Sequence, residues 1–287
     1  MHRSTPLRST IFSALASTLL LTGVSSCSQN GSQITAGSIT QLDDRLASII
    51  DPDAKMVQLA DGFTWSEGPV WIEDENYLLF TDVPGNIMWK WSTDDGLSEF
   101  LNPSGPPAQD VPHISAPGAN GLIMGEEMGH IYVANHGKRA IIAMDLKSKG
   151  ETILSNNYQG KKFSSPNDLA LSSSGKIFFT DPSFGLRGGD NSPDKEQPVN
   201  GVYRLDPDGF THLIIDDVAM PNGIALSPDE KTLYVTDSFG PSVMAYSLAA
   251  DGTVSNPVKF YDYAVSVAAE KVGAPDGLDM QTMGQFL

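Results

Sequence analysis

Five oxygen-bearing side chains, Glu67, Asn120, Asn167, Asn222 and Asp276, recur along the chain at near-constant intervals of 53, 47, 55 and 54 positions. Each is followed by Gly or Asp. They open the segments 67–82 (EGPVWIEDENYLLFTD), 120–135 (NGLIMGEEMGHIYVAN), 167–181 (NDLALSSSGKIFFTD), 222–237 (NGIALSPDEKTLYVTD) and 276–287 (DGLDMQTMGQFL). Two carboxylates and up to three amide oxygens, with no thiolate and no imidazole, form a hard donor set. It suits Ca²⁺ best, admits Mg²⁺ or Mn²⁺, and takes Zn²⁺ as a promiscuous substitute. Asn-Gly, Asp-Gly and Glu-Gly are also ordinary turn dipeptides ahead of strands, and each motif alone reads that way. A register in which the acid or amide never slips favours the metal reading, because a turn accepts Ser or Gly equally well.

The elements between these residues must bring them together. Alternation at Leu169 and Leu171, or Ile224 and Leu226, followed by a polar turn and a second apolar run, marks a hairpin in each repeat. Third strands fit at 86–91, 140–145, 201–205 and 242–248. A unit of about 50 residues with four short strands is the period of a propeller blade. The sequence therefore predicts an all-β, six-bladed β-propeller in which each opening residue points into a central channel. An open ring leaves an apolar blade face and unpaired strand edges in water. The chain, which stops within the fifth hairpin, is expected to be a fragment of about four and a half blades. Only 39–50 offers a helical period. Trp65, Trp71, Trp89 and Trp91 are expected to pack in the core. Asp181 and Asp237, which close two hairpins, are expected to serve in turn and inter-blade hydrogen bonds first, and as partners of the metal ligands second.

The balance of 18 Lys and Arg against 35 Asp and Glu gives a net charge of −17, a surface that repels phosphate backbones and makes nucleic acid a poor ligand. Arg3 and Arg8 followed by an apolar stretch over 11–24 form an export signal, too short for a comfortable membrane span. The segment 24–27 (VSSC) then matches a bacterial lipobox. The domain reading is a lipoprotein signal over 1–26, a flexible tether over 27–40 and the propeller over 41–287. Cys27 is expected to be lipidated and the protein to be periplasmic or anchored to the outer membrane. Cys27 is the only cysteine, which excludes an intramolecular disulfide. No Gly-x-Ser-x-Gly elbow, His-Glu-x-x-His helix or glycine-rich phosphate loop competes with the repeat.

The motifs 66–71 (SEGPVW), 165–168 (SPND), 221–223 (PNG) and 275–277 (PDG) together resemble the gluconolactonase and senescence-marker-protein (regucalcin) family, six-bladed metal-dependent lactone hydrolases. The resemblance runs from about Leu59 to the C-terminus. It implies Glu67, Asn222 and Asp276 as principal metal ligands, and Asn167 as a fourth amide that ligates the metal or holds substrate hydroxyls. It further implies Asp276 as catalytic acid and base. Asn120 lies in a blade where the family varies and is read as substrate-binding. Ser165 stands where some members carry an arginine. The stretch 136–139 (HGKR) resembles a His-Gly-x-Arg segment of the bacterial branch. It would put His136 near the channel mouth, to bind substrate or shuttle protons, unless it is a loop histidine bonded to a neighbouring blade. The implied activity is hydrolysis of a sugar lactone to the aldonic acid, with the lactone as sole partner apart from a lipid anchor. Alternatives are an aryl-ester or organophosphate hydrolase on the same scaffold, or a non-catalytic calcium- or sugar-binding propeller. A strictosidine-synthase-like enzyme is disfavoured by carboxylates and amides in register.

Overall fold

Each repeat grows into a four-stranded antiparallel sheet in which sequence order and spatial order coincide. The computed structural model describes residues 39, 41, 43–240, 242–263 and 273–280. The export signal, Cys27 and, apart from Ile39, the tether lie outside the described residues, as do residues 281–287.

The first sheet holds β1 (Ser66–Ile72), β2 (Tyr77–Asp82), β3 (Ile87–Ser92) and β4 (Gly96–Leu101). The second holds β5 (Ala119–Met124), β6 (His130–Asn135), β7 (Ala140–Asp145) and β8 (Glu151–Ser155). A small hairpin, β9 (Asn157–Tyr158) with β10 (Lys161–Lys162), follows it. The third sheet is β11 (Leu169–Leu171), β12 (Ile177–Asp181), β13 (Gly201–Leu205) and β14 (Thr211–Ile215). The fourth is β15 (Pro221–Leu226), β16 (Thr232–Asp237), β17 (Ser242–Leu248) and β18 (Val254–Asp262). Third strands fall where the sequence placed them. In the fifth repeat, residues 276–280 carry no strand. The helical period over 39–50 yields only a 3₁₀ turn at Asp44–Ser48 that buries no residue, and Ile49 and Ile50 are exposed. An apolar stripe with nothing to pack against does not sustain an α-helix of that length.

The core lies between the sheets. Ile72, Tyr77, Leu79 and Met88 of the first sheet pack on Leu122, Ile131, Val133, Ile142 and Met144 of the second. Ile177 and Phe179 face back toward Ala134 and Ile141, whereas Phe178 between them faces forward to Ile224, Leu233 and Val235. Successive strand residues point to opposite faces. Interior sheets are buried on both faces, so their second strands read as unbroken apolar runs. The first strands lie side by side, β1 against β5, β5 against β11 and β11 against β15, giving a propeller-like stack around a shared channel.

In three of the four sheets the dipeptide closing the second strand locks this stack. Thr81 donates its hydroxyl to the carbonyl of Asn120 at 3.0 Å, Thr180 to that of Asn222 at 2.6 Å, and Thr236 to that of Asp276 at 2.8 Å. Each threonine thus holds the opening residue of the next repeat. The second sheet has Ala134 in that place, and the N–H of Gly121 takes the carbonyl of Asn167 instead, at 2.8 Å. The approach is so close that a Cβ on Gly68, Gly121 or Gly223 would stand 2.2, 2.6 or 2.5 Å from the next opening carbonyl. Gly121→Ala is therefore expected to destabilise the fold by about 1–3 kcal/mol, read as a lower urea midpoint with an unchanged slope.

Candidate functional site

Aspartates beside those threonines point the other way, into their own sheets. Asp82 accepts the N–H groups of Thr64 and Trp65 at 3.0 and 3.1 Å. Asp181 accepts those of Ser164 and Ser165, both at 2.8 Å, and Asp237 those of Ala219 and Met220 at 3.2 and 3.0 Å. In every case the clamped residues stand three and two positions before the opening residue. The second sheet departs because Pro117 has no N–H to offer. Asn135 replaces the aspartate there and bonds to the carbonyl of Ser104 and the N–H of Lys138. The expected inter-blade role of Asp181 and Asp237 is corrected to a clamp within the sheet. Alternation forces the division, since only the adjacent threonine faces the neighbouring sheet.

Three of the opening residues, Glu67, Asn120 and Asn167, line a cavity of about 640 Å³ together with Asp168 and residues of the first strands. The Glu67 carboxylate accepts the indole N–H of Trp65 at 2.7 Å. Burial first, and then repulsion by Asp276, push its pKa up to about 7, so these two carboxylates feel each other although they lie far apart in sequence. Asn222 is buried and donates to the Ser238 hydroxyl at 3.3 Å, which in turn donates to the carbonyl of Pro275 at 2.7 Å, placing Asn222 beside Asp276. Asp276 is exposed.

The donors fit a hard divalent cation. Asn222 Oδ1 is buried without a hydrogen-bond partner, an oxygen that a cation would satisfy. Mutual repulsion between Glu67 and Asp276 is the condition a cation relieves. Among the described residues no three Asp, Glu, His or Cys side chains form a cluster, and a cation held here would need amide oxygens such as those of Asn167 and Asn222 as well.

Asn120 donates to His136 Nε2 at 3.1 Å. His136 itself is buried, and burial lowers its pKa to about 4, leaving a neutral ring that supports Asn120 from behind. Arg139, at the end of the same HGKR stretch, is buried and donates to the carbonyls of Phe163 and Asp194, tying the second sheet to the third. Ser165 spends its hydroxyl on local structure, donating to the carbonyl of Pro182 at 2.6 Å and accepting the N–H of Gly185 at 2.8 Å.

Two residues at the site escaped the sequence reading. Asp168 occupies the place that glycine holds in the other repeats. Its buried carboxylate accepts the N–H groups of Leu169 at 2.9 Å and Ile224 at 3.1 Å, while burial raises its pKa to about 7. The signal was present as the one Asn-Asp among x-Gly pairs. Trp65 is the other. It is 57% exposed, and Trp71 lines the cavity, so the expected core role fails for both; Trp89 does pack on Phe63.

A propeller-like stack of four-stranded sheets with Glu67, Asn120 and Asn167 at its channel defines the class of this protein. The chain belongs to the SMP-30/Gluconolactonase/LRE-like family, whose model matches residues 65–286. It is 40% identical over 279 residues to a gluconolactonase of Zymomonas mobilis, covering 95% of this chain and 78% of that one. It is 27% identical to the regucalcin of Bos taurus over 222 residues, 77% of this chain and 66% of that protein. A solved gluconolactonase from Xanthomonas campestris superposes with a TM-score of 0.71 at 31% identity over 88% of this chain and 78% of that one. A calcium-binding regucalcin from Agrobacterium tumefaciens shares the fold at a TM-score of 0.54 and 16% identity, over 71% and 61% of the two chains.

The raised carboxylate gives a sign for pH dependence. Glu67 titrates near 7 in the fold against an ordinary 4.5, so its contribution to stability is full below about 4.5 and lost as pH rises through about 7. Asp168 and Asp181, raised by burial from 3.8 to about 7, act in the same direction. In chelator, the unfolding temperature is expected to fall between about pH 5 and about pH 8. Added Ca²⁺ should reduce that fall, and Glu67→Gln should do so without Ca²⁺.

Proposed function

We propose that the chain hydrolyses a sugar lactone of the glucono-1,5-lactone type to the aldonic acid. The likeness to a gluconolactonase across 95% of the chain carries this reading. The channel-end register of oxygen donors supports it. Glu67, Asn167, Asn222 and Asp276 would hold a divalent cation, Ca²⁺ first, with Mg²⁺, Mn²⁺ or Zn²⁺ able to substitute. When bound, that cation supplies Lewis acidity toward the lactone carbonyl. Asn120 and Asn167 present amides to the substrate hydroxyls, and His136 acts through Asn120. Asp276, an exposed residue, accepts the proton of the attacking water. The ring C–O bond breaks, and Asp276 returns the proton to the ring oxygen.

The propeller would have six blades, a count supported by the resemblance to the gluconolactonase and regucalcin family. The charged and apolar N-terminal segment and the lipobox ending at Cys27 support a reading in which the enzyme is exported, lipidated and held in the periplasm or at the outer membrane.

Acid release from D-glucono-1,5-lactone by the whole chain tests the activity. Chelator should abolish it and Ca²⁺ restore it; turnover indifferent to chelation would remove the cation from the reaction. Calcium binding with no turnover of any lactone would instead make the protein a binding module. Asp276→Ala is expected to lower kcat by roughly 10²- to 10⁴-fold while leaving the fold intact, as read by an unchanged far-UV spectrum. A near-normal rate would take Asp276 out of the mechanism.

A further inference from the structure

Trp65 stands apart from the other tryptophans, because it is more than half exposed while its N–H reaches the Glu67 carboxylate at 2.7 Å. Its backbone is pinned before the side chain is placed. The Trp65 N–H donates to Asp82 at 3.1 Å, and its carbonyl accepts the N–H of Val83 at 3.2 Å. Burial therefore explains little of what the residue does, and the hydrogen bond is its one polar tie from the side chain. An indole N–H only donates, which fixes the direction of this bond, and a carboxylate acceptor strengthens it.

The last torsion of a glutamate is broad, so a carboxylate beside a channel turns unless something holds it. Trp65 holds Oε1 and leaves Oε2 for another partner. Glu67 lies at the lining of the cavity and Asp276 within electrostatic reach. Groups that bind a metal are commonly oriented by hydrogen bonds of this kind from residues that do not touch the ion.

We propose that Trp65 is a positioning residue that fixes the Glu67 carboxylate for a divalent cation at the channel. The inference rests on the cation site proposed above. Trp65→Phe keeps an aromatic ring and deletes the donor, whereas Trp65→Ala deletes both. Calorimetric titration of the whole chain with Ca²⁺ should show binding about 10- to 100-fold weaker in both variants, with the unfolding temperature of the cation-free protein unchanged. Raising Ca²⁺ should restore lactone turnover by Trp65→Phe, a recovery that a folding defect would not show. Wild-type Ca²⁺ affinity in Trp65→Phe overturns this inference alone, as does weakening confined to Trp65→Ala. A wild-type chain that takes no Ca²⁺ overturns the cation site and the inference together, so the two failures are distinguishable.

Discussion

Everything at the channel depends on where the backbone of the opening residues is held, and in three of the four sheets a two-residue device takes part in holding it. At the end of a second strand, adjacent side chains face opposite sides of the sheet. The threonine reaches forward to the carbonyl of the next opening residue, and the aspartate reaches back to the N–H groups leading into its own. One residue sets the spacing between sheets and the other sets the approach of the strand within its sheet. Buried polar atoms that are satisfied in this way also specify a single arrangement, since any slip would leave them unpaired.

The same geometry explains why glycine follows most opening residues. The carbonyl gripped by the threonine sits where a Cβ would be, so the sheets approach this closely only without one. Asp168 is the informative exception. Its carboxylate enters the space and takes the Ile224 N–H of the neighbouring sheet, converting a steric vacancy into a polar crosspiece at the head of the channel. The outcome is an acidic, oxygen-rich centre in a chain that is already strongly negative. Burial and mutual repulsion then hold Glu67 well above the ordinary carboxylate range. An electrostatic arrangement of this kind serves a cation and an uncharged ester better than an anionic substrate.

The backbone architecture was legible because its cause is local. Short apolar runs, polar turns and a repeat of about 50 residues require four-stranded units, and the third strands at Ile87–Ser92, Ala140–Asp145, Gly201–Leu205 and Ser242–Leu248 follow from the same pattern. Side-chain roles were less legible. Tryptophan hydrophobicity suggested the core for Trp65, yet its neighbour two residues on is a carboxylate whose orientation needs a donor. Hydrophobicity is a property of the residue, whereas a hydrogen bond is a property of the pair. His136 was similarly ambiguous, because the burial that keeps its ring neutral comes from distant segments.

The sequence by itself determined that oxygen donors recur once per sheet and that their chemistry is hard, because residue type and interval are written along the chain. Only the tertiary structure decided which of them meet, which hydroxyls and carboxylates pin them, and that Asn222 Oδ1 is left buried without a partner. Contact across sheets separated by dozens of residues arises from closing long loops around a shared axis. No local pattern encodes which side chain will stand opposite another once that closure is made.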